Sequence, residues 1–409
     1  MADLAPDVAI VGGGIAGGVL ATMLAKNGLD VVVLERETTY PDRVRGEYMP
    51  PWGVLEFKRL GLLDILYENG GLHVERNIPY DENWSPEVAE ARALDVSKLL
   101  PDVAGPLCIG HPTMCNAFSI SARAAGAKVL NDIKNVEVTA GNRPTVSFVS
   151  DGSPIQLKPR LVIGADGRNS TVRKQLGLPV LADEPHNLIG GMLVANVPDF
   201  PRNIQTMGTE GRLHYLIFPQ GNDLVRLYAA YDFSDRASFA GPDREARLLQ
   251  AFRLKCLPYA QAVLAGTPIG PFHSFSNEDH WVDDPTAPGV VLVGDAAGHN
   301  DPITGQGVSI AARDARIVSD ILISNKNWNQ ADFLPYVEER RERMRRLRIA
   351  ARLATKLRVE FGEEARARRA RVAERMRDRQ LSPLPVSLVG PERLPNEAFL
   401  PETIEKLIA

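Results

Sequence analysis

The first 35 residues restrict the fold more than any other part of the chain. Residues 7–11 (DVAIV) form a short apolar run rich in branched side chains, the pattern of a parallel strand buried on both faces. Gly12, Gly14 and Gly17 follow in GxGxxG spacing, residues 15–27, opening with Ile15 and Ala16, read as a helix, and Gly28 stops it. Residues 31–34 are a second buried strand that ends at Glu35 and Arg36. Gly12 allows the tight turn, Gly14 lets backbone approach a pyrophosphate, and Gly17 permits close helix–strand packing. The helix N-terminus offers N–H groups and a positive dipole end, and Glu35 stands where a ribose hydroxyl is received. This unit specifies a dinucleotide without separating FAD from NAD.

At 409 residues the chain suggests two or three domains. Its 44% hydrophobic and 24% charged residues fit a globular protein, and a net charge of -4 argues against a nucleic-acid binder. Three widely spaced cysteines (Cys108, Cys115, Cys256) form no CxxC pair, so neither a disulfide framework nor a metal site is expected. The opening residues carry no signal-peptide pattern and no apolar run is long enough to span a bilayer. A cytoplasmic location without integral membrane contact is the expectation.

Two later motifs narrow the nucleotide. Residues 161–173 (LVIGADGRNSTVR) run from an apolar strand through Asp166-Gly167 to a helix carrying Ser170 and Arg173. Residues 289–312 (GVVLVGDAAGHNDPITGQGVSIAA) run from a buried strand through Gly294-Asp295 and Pro302 to Gly305, Gln306 and Gly307 at a helix start. Both put a carboxylate at the carboxyl end of a strand, where open α/β sheets bind ligands. With GxGxxG, in this order, they make residues 7 to about 320 resemble the class A FAD-dependent monooxygenases of the para-hydroxybenzoate hydroxylase type. The resemblance implies an α/β fold: a Rossmann-like (GR2-type) FAD-binding domain with an inserted sheet domain for substrate and C-terminal helices. It implies that Glu35 binds the adenosine ribose and Asp295 the ribityl chain, with the 302–307 loop beside the isoalloxazine. Asp166 is associated with both FAD and NADPH, and Arg45, near Arg43, is the expected phosphate contact unless it is a solvated surface charge. Two departures stand out. Gly298, followed by His299, replaces the usual histidine after GDAA, and His111 opens a helix where many members carry arginine.

The discontinuous FAD-binding domain is expected over 1–75, 102–182 and 286–325, the substrate domain over 76–101 and 183–285, and a helical region and tail over 326–409. Strands are expected at 136–149, 155–163, 187–197, 213–218 and 224–232, with helices at 114–125 and 245–256. Residues 333–379 read as an arginine-rich helical stretch packed on the body with a solvated basic face, or as a membrane-surface helix, and Pro383, Pro385, Pro391 and Pro395 read as an extended tail. On the substrate side, Met192, His214, Tyr215, Phe218, Tyr228 and Tyr231 lie on the expected sheet, where alternation sends only half inward. Trp52 either approaches the flavin or is a buried aromatic.

In the resembled family NAD(P)H reduces FAD, and a C4a-hydroperoxyflavin formed with O2 transfers one oxygen atom to a small molecule, here an aromatic or polyketide-like one. No catalytic residue is legible, and NADPH against NADH, hydroxylation against epoxidation or Baeyer–Villiger chemistry, and monomer against dimer stay open. A flavin-dependent halogenase is the closest rival, favoured by the 46–61 segment (Gly46-Glu47, Pro50-Pro51, Leu60-Gly61). It is opposed by the lack of a WxWxIP motif and of any lysine between Lys58 and Lys98. A geranylgeranyl-reductase-like enzyme and a non-catalytic FAD-binding redox sensor are the remaining readings.

Overall fold

The computed structural model describes residues 5–409; the first four residues of the expected FAD-binding segment lie outside it. Along the chain run β1 (Val8–Val11), α1 (Ile15–Lys26), β2 (Val31–Leu34), β3 (Arg76–Ile78), β4 (Leu94–Asp95), α2 (His111–Ala124) and β5 (Lys128–Leu130). Then follow β6 (Leu161–Gly164), α3 (Thr171–Gln175), β7 (Asn187–Ala195), β8 (Ile204–Glu210), β9 (Leu213–Gly221), β10 (Leu224–Tyr231) and β11 (Thr267–Asn277). The last are β12 (Thr286–Ala287), β13 (Val290–Leu292), α4 (Gly307–Ser324), α5 (Leu334–Arg358) and α6 (Glu363–Arg377).

Two sheets organise these elements. The first has the order β12-β13-β6-β1-β2-β5, parallel except where β12 meets β13. β1, β2, β6 and β13 are buried at every residue, as strands covered on both faces must be. The second sheet has the order β11-β7-β10-β9-β8-β3-β4, antiparallel apart from the β8–β3 pair. One face of it packs on a core of its own that includes Met192, Tyr215, Leu227 and Phe252.

Local departures from the sequence reading have physical causes. Residues 136–149 form two strands, Lys134–Thr139 and Thr145–Ser150, around the turn that holds Gly141. Residues 155–163 break at Pro159 into Ser153–Leu157 and β6. β8 is absent from the expected strands because threonine, glutamine and glycine interrupt its apolar alternation.

The proline-rich tail is not extended. It holds the short helices Val386–Val389 and Pro401–Ile408, and Pro401 sits in the first turn, where a missing N–H costs nothing. Leu407 is buried with Leu353, Leu357 and Val372. The basic face of α5 is not simply solvated either. Arg340 and Arg343 are each 2% exposed, and both grip the fully buried Asp314 of α4, at 3.1 and 2.6 Å. Asp314 also accepts the Gly294 N–H at 2.8 Å, while Arg340 donates to the carbonyls of Gly294 and Gly298. Burial opposes ionisation of Asp314, but the two guanidiniums hold its carboxyl below the usual range.

Removing one partner of such a group leaves uncompensated buried charge. Asp314→Ala is therefore expected to destabilise the chain by about 3–5 kcal/mol, read as a lower urea midpoint. A loss within about 0.5 kcal/mol, the range of ordinary surface changes, would show the triad to be dispensable.

Candidate functional site

A cavity of about 1500 Å³ runs from the GxGxxG turn to the second sheet, lined by the carboxyl ends of β1, β2 and β6 and by the inner face of β8–β10. At its nucleotide end a methyl group on Gly12 would lie 2.4 Å from the Ala165 carbonyl, and one on Gly17 1.9 Å from the Gly12 carbonyl. Neither position admits a side chain, whereas Gly14 faces open space beside Ile15 and Ala16. Glu35 is buried; its carboxylate accepts the Gly13 N–H at 2.6 Å and the Glu37 N–H at 2.9 Å. Arg36 lines the rim and pairs with Glu37 at 3.1 Å. The cleft is thus open where backbone must meet a pyrophosphate and closed where helix must meet strand.

The two later motifs divide into residues that build and residues that face the cavity. Asp166 accepts Ser170 Oγ at 2.6 Å and the N–H groups of Thr171 and Val172, capping α3 next to Gly167. Arg173 donates to the carbonyls of Ala296 and Arg168, both at 2.7 Å, and so ties one motif to the other. Asp295 instead faces Arg168 at 3.5 Å. Burial opposes its charge, yet Arg168, His299 and Arg45 hold its carboxyl below the usual range. Arg45, partly buried over the Phe275 ring, is lowered by burial and by the repulsion of Arg168. Two guanidiniums around one carboxylate leave net positive charge in the cavity that the α1 N-terminus also lines, which suits a diphosphate. The residues present therefore fit FAD: an open glycine turn, a buried ribose acid, a positive middle and an acid beyond it.

Beyond Pro302, Gly305 takes a left-handed conformation (φ +66°) against the Tyr48 ring, and Gly307 opens α4 with nothing in front of it. Gln306 is held by the Trp52 indole N–H at 2.9 Å and donates to the carbonyls of Ser387 and Thr304. Trp52 is therefore a 1% exposed core residue that fixes the loop through Gln306, and it does not line the cavity. His111 stands at the first position of α2, lining the cavity; burial and the charges of Arg45 and Arg43 bring it down to about 4.

On the sheet wall alternation decides which side chains enter. His214, Leu216 and Phe218 of β9 line the cavity, while Tyr215 and Ile217 join the opposite core. Tyr228 enters and Tyr231 does not; Met192 is fully buried on the core side and touches no cavity. Several cavity residues escaped the sequence reading. Arg168 lay within a quoted motif, and Glu47 within the 46–61 segment. Glu47 is 2% exposed, accepts the Tyr228 hydroxyl and lies 3.3 Å from Arg226; burial pushes its carboxyl up. Asn77, Gln205 and Arg358 carried no signal beyond their polarity. At the rim Glu278, His280 and His299 bring one ligand atom each within 4.8 Å. The two imidazoles stack at 4.6 Å and 22°.

This cleft and its cavity define a dinucleotide-binding flavoprotein fold. Residues 5–351 match the model of the FAD binding domain family, and the chain belongs to that family, with FAD as its cofactor. It is similar to 3-demethoxyubiquinol 3-hydroxylase of Escherichia coli K12, 25% identical over 368 residues that cover 85% of this chain and 87% of that one. It is also similar to squalene epoxidase 3 of Arabidopsis thaliana, 26% identical over 338 residues, 77% of this chain; these span only 60% of that protein's length. Among solved structures, p-nitrophenol 4-monooxygenase of Pseudomonas putida shares the fold at TM-score 0.81 and 19% identity, over 96% of this chain and all of that one. No helix among the described residues is long and apolar enough to cross a membrane.

Two measurements check this site. Arg45→Ala is expected to weaken FAD binding about tenfold or more, measured by titrating the apoprotein and following flavin fluorescence; unchanged affinity would remove Arg45 from the phosphate site. Asp301, before Pro302, is pushed up to about 7 by burial and Asp279. The folded chain thus holds a proton that the unfolded chain releases near 3.8. Stability from this group is full below the lower value and lost as pH rises to the upper one. The melting temperature of the wild type minus that of Asp301→Asn should fall from about pH 5 to about pH 7 and then level.

Proposed function

We propose that the protein is an FAD-dependent, NAD(P)H-using monooxygenase that inserts one oxygen atom from O2 into an aromatic or polyketide-like small molecule. The observation that carries this reading is the continuity of the cleft: one cavity joins the nucleotide end to an apolar chamber walled by Ile189, Leu216, Phe218 and Phe275. Residues 76–101 and 183–285 serve as the substrate side and the remaining segments up to 325 as the flavin side. Bound FAD supplies the electron transfer and O2 activation. The chain's own part is to bind, orient and keep dry. The α4 N-terminus at Gly307 favours negative charge at the loop 302–307, and the positive charge of Arg45 and Arg168 anchors the phosphates. The apolar chamber excludes water, which would otherwise divert activated oxygen to peroxide.

The names of relatives point the same way: the E. coli relative is a hydroxylase, and the fold is shared with an aklavinone-11 hydroxylase bound to FAD and aklavinone. The fold is shared equally with a flavin-dependent halogenase, so fold alone does not choose. Against halogenation, no lysine lines the cavity among the described residues. Anaerobic mixing of the FAD-loaded chain with NADPH or NADH should bleach the flavin, and a true substrate should accelerate it. No bleaching with either nicotinamide would overturn the proposal.

A further inference from the structure

The Gly298-His299 departure after GDAA has a structural reason. Gly298 takes φ +108°, and a methyl group there would lie 2.5 Å from the His280 carbonyl oxygen and 2.6 Å from the Trp281 Cα. A histidine is therefore barred from position 298, and the imidazole stands one residue on. The segment that presses in, His280–Trp281, pairs with Leu181–Ala182, and the Arg348 guanidinium lies 4.1 Å over the Trp281 ring. The His280 N–H reaches the His299 carbonyl at 2.9 Å, so the backbone holds the two histidines as neighbours. Glu278, two residues before His280, completes a cluster of three that lines the cavity.

The cluster has the spacing and the open valences of a ligand set. One nitrogen or oxygen from each residue lies within 4.8 Å of the others. Glu278 Oε1 and His280 Nε2 stand 3.6 Å apart. Two atoms that share a tetrahedral ion at roughly 2.1 Å are about 3.4 Å apart. Glu278 Oε2 and His299 Nδ1 are buried without hydrogen-bond partners, and His299 as a whole is 6% exposed. The rings are stacked, so an ion must turn at least one of them about its Cβ–Cγ bond, a soft torsion for histidine. Asp295, Arg168 and Arg45 also face His299, and their charges sum to one positive. Attraction for a cation must come from direct ligation and from the Glu278 carboxylate.

We infer that Glu278, His280 and His299 form a site for a divalent cation of the zinc type, with its remaining position open to the cavity. Two imidazoles and one carboxylate favour Zn2+, Co2+ or Ni2+ over Mg2+ and Ca2+, which prefer oxygen alone. The ion ties the connection from β11 to β12, which joins the two sheets, to the GDAAG turn. It depends on neither the flavin's chemistry nor the substrate.

The test is calorimetric titration of the metal-free, FAD-loaded full chain with Zn2+ at neutral pH. A parallel titration with Co2+ is read in the red, where oxidised flavin does not absorb. One equivalent of Zn2+ should bind, raise the melting temperature, and resist displacement by Mg2+ in about hundredfold excess. Co2+ should give the intense visible bands of a four-coordinate site. Glu278→Gln and His280→Asn should each weaken Zn2+ binding about tenfold or more with flavin content unchanged. His186→Ala, at a histidine outside the cluster, should leave it intact. The wild-type titrations carry the test if either variant fails to hold flavin. No stoichiometric Zn2+ binding, the pale spectrum of six-coordinate Co2+, displacement by Mg2+, or affinity that survives both cluster variants would each overturn the inference.

Discussion

The carboxylate of Asp314 is the point on which the cofactor end of the molecule hangs. It is fully buried, takes the Gly294 N–H, and meets the guanidiniums of Arg340 and Arg343. Arg340 reaches further to the Gly294 and Gly298 carbonyls, so both ends of the GDAAG turn are fixed from below. An isolated charge at this depth would be ruinous; two cations and a backbone donor around one anion make the arrangement self-consistent. With the underside of the loop so occupied, Asp295 is left to face the cleft. The arginine-rich C-terminal helix is thereby part of the flavin site's foundation, although it contributes no residue of the nucleotide fingerprints.

Above that foundation, the cavity separates charge from apolar surface. Arg45, Arg168 and Asp295 gather at the nucleotide end, a charged group that suits a diphosphate. The sheet end combines apolar walls with Arg358 and the Glu47–Tyr228–Arg226 cluster. Building residues link the two ends: Arg173 joins the motif turns, and Trp52 holds Gln306 so that the loop before α4 keeps its shape. Their side chains are consumed in structure. Mutating them should therefore disturb the cofactor through the loops.

What the sequence reveals depends on whether a constraint is local. The glycine turn is legible because Gly17 answers to the Gly12 carbonyl five residues earlier in the chain, and Glu35 follows by the fixed length of a βαβ unit. The order of Asp166 and Asp295 is legible for the same reason, each closing a short apolar strand. Alternation announces that half of β9 and β10 will face the cavity but not which half, so Met192 and Tyr228 look alike until the sheet has a partner on one side. Arg340 and Arg343 cannot be told in sequence from the exposed arginines around them, because their partner Asp314 lies on another helix. Asn77 and Gln205 are brought together only by the parallel pairing of β3 with β8, strands more than a hundred residues apart.

The central claim is that FAD in this cleft activates O2 for transfer into the neighbouring chamber. Its most direct test is to turn over, under heavy-isotope O2 with NADPH, the aromatic compound that most accelerates flavin reduction, and weigh the product. A product carrying one heavy oxygen atom is expected. A product that is unchanged, or whose new oxygen comes from water, would contradict it.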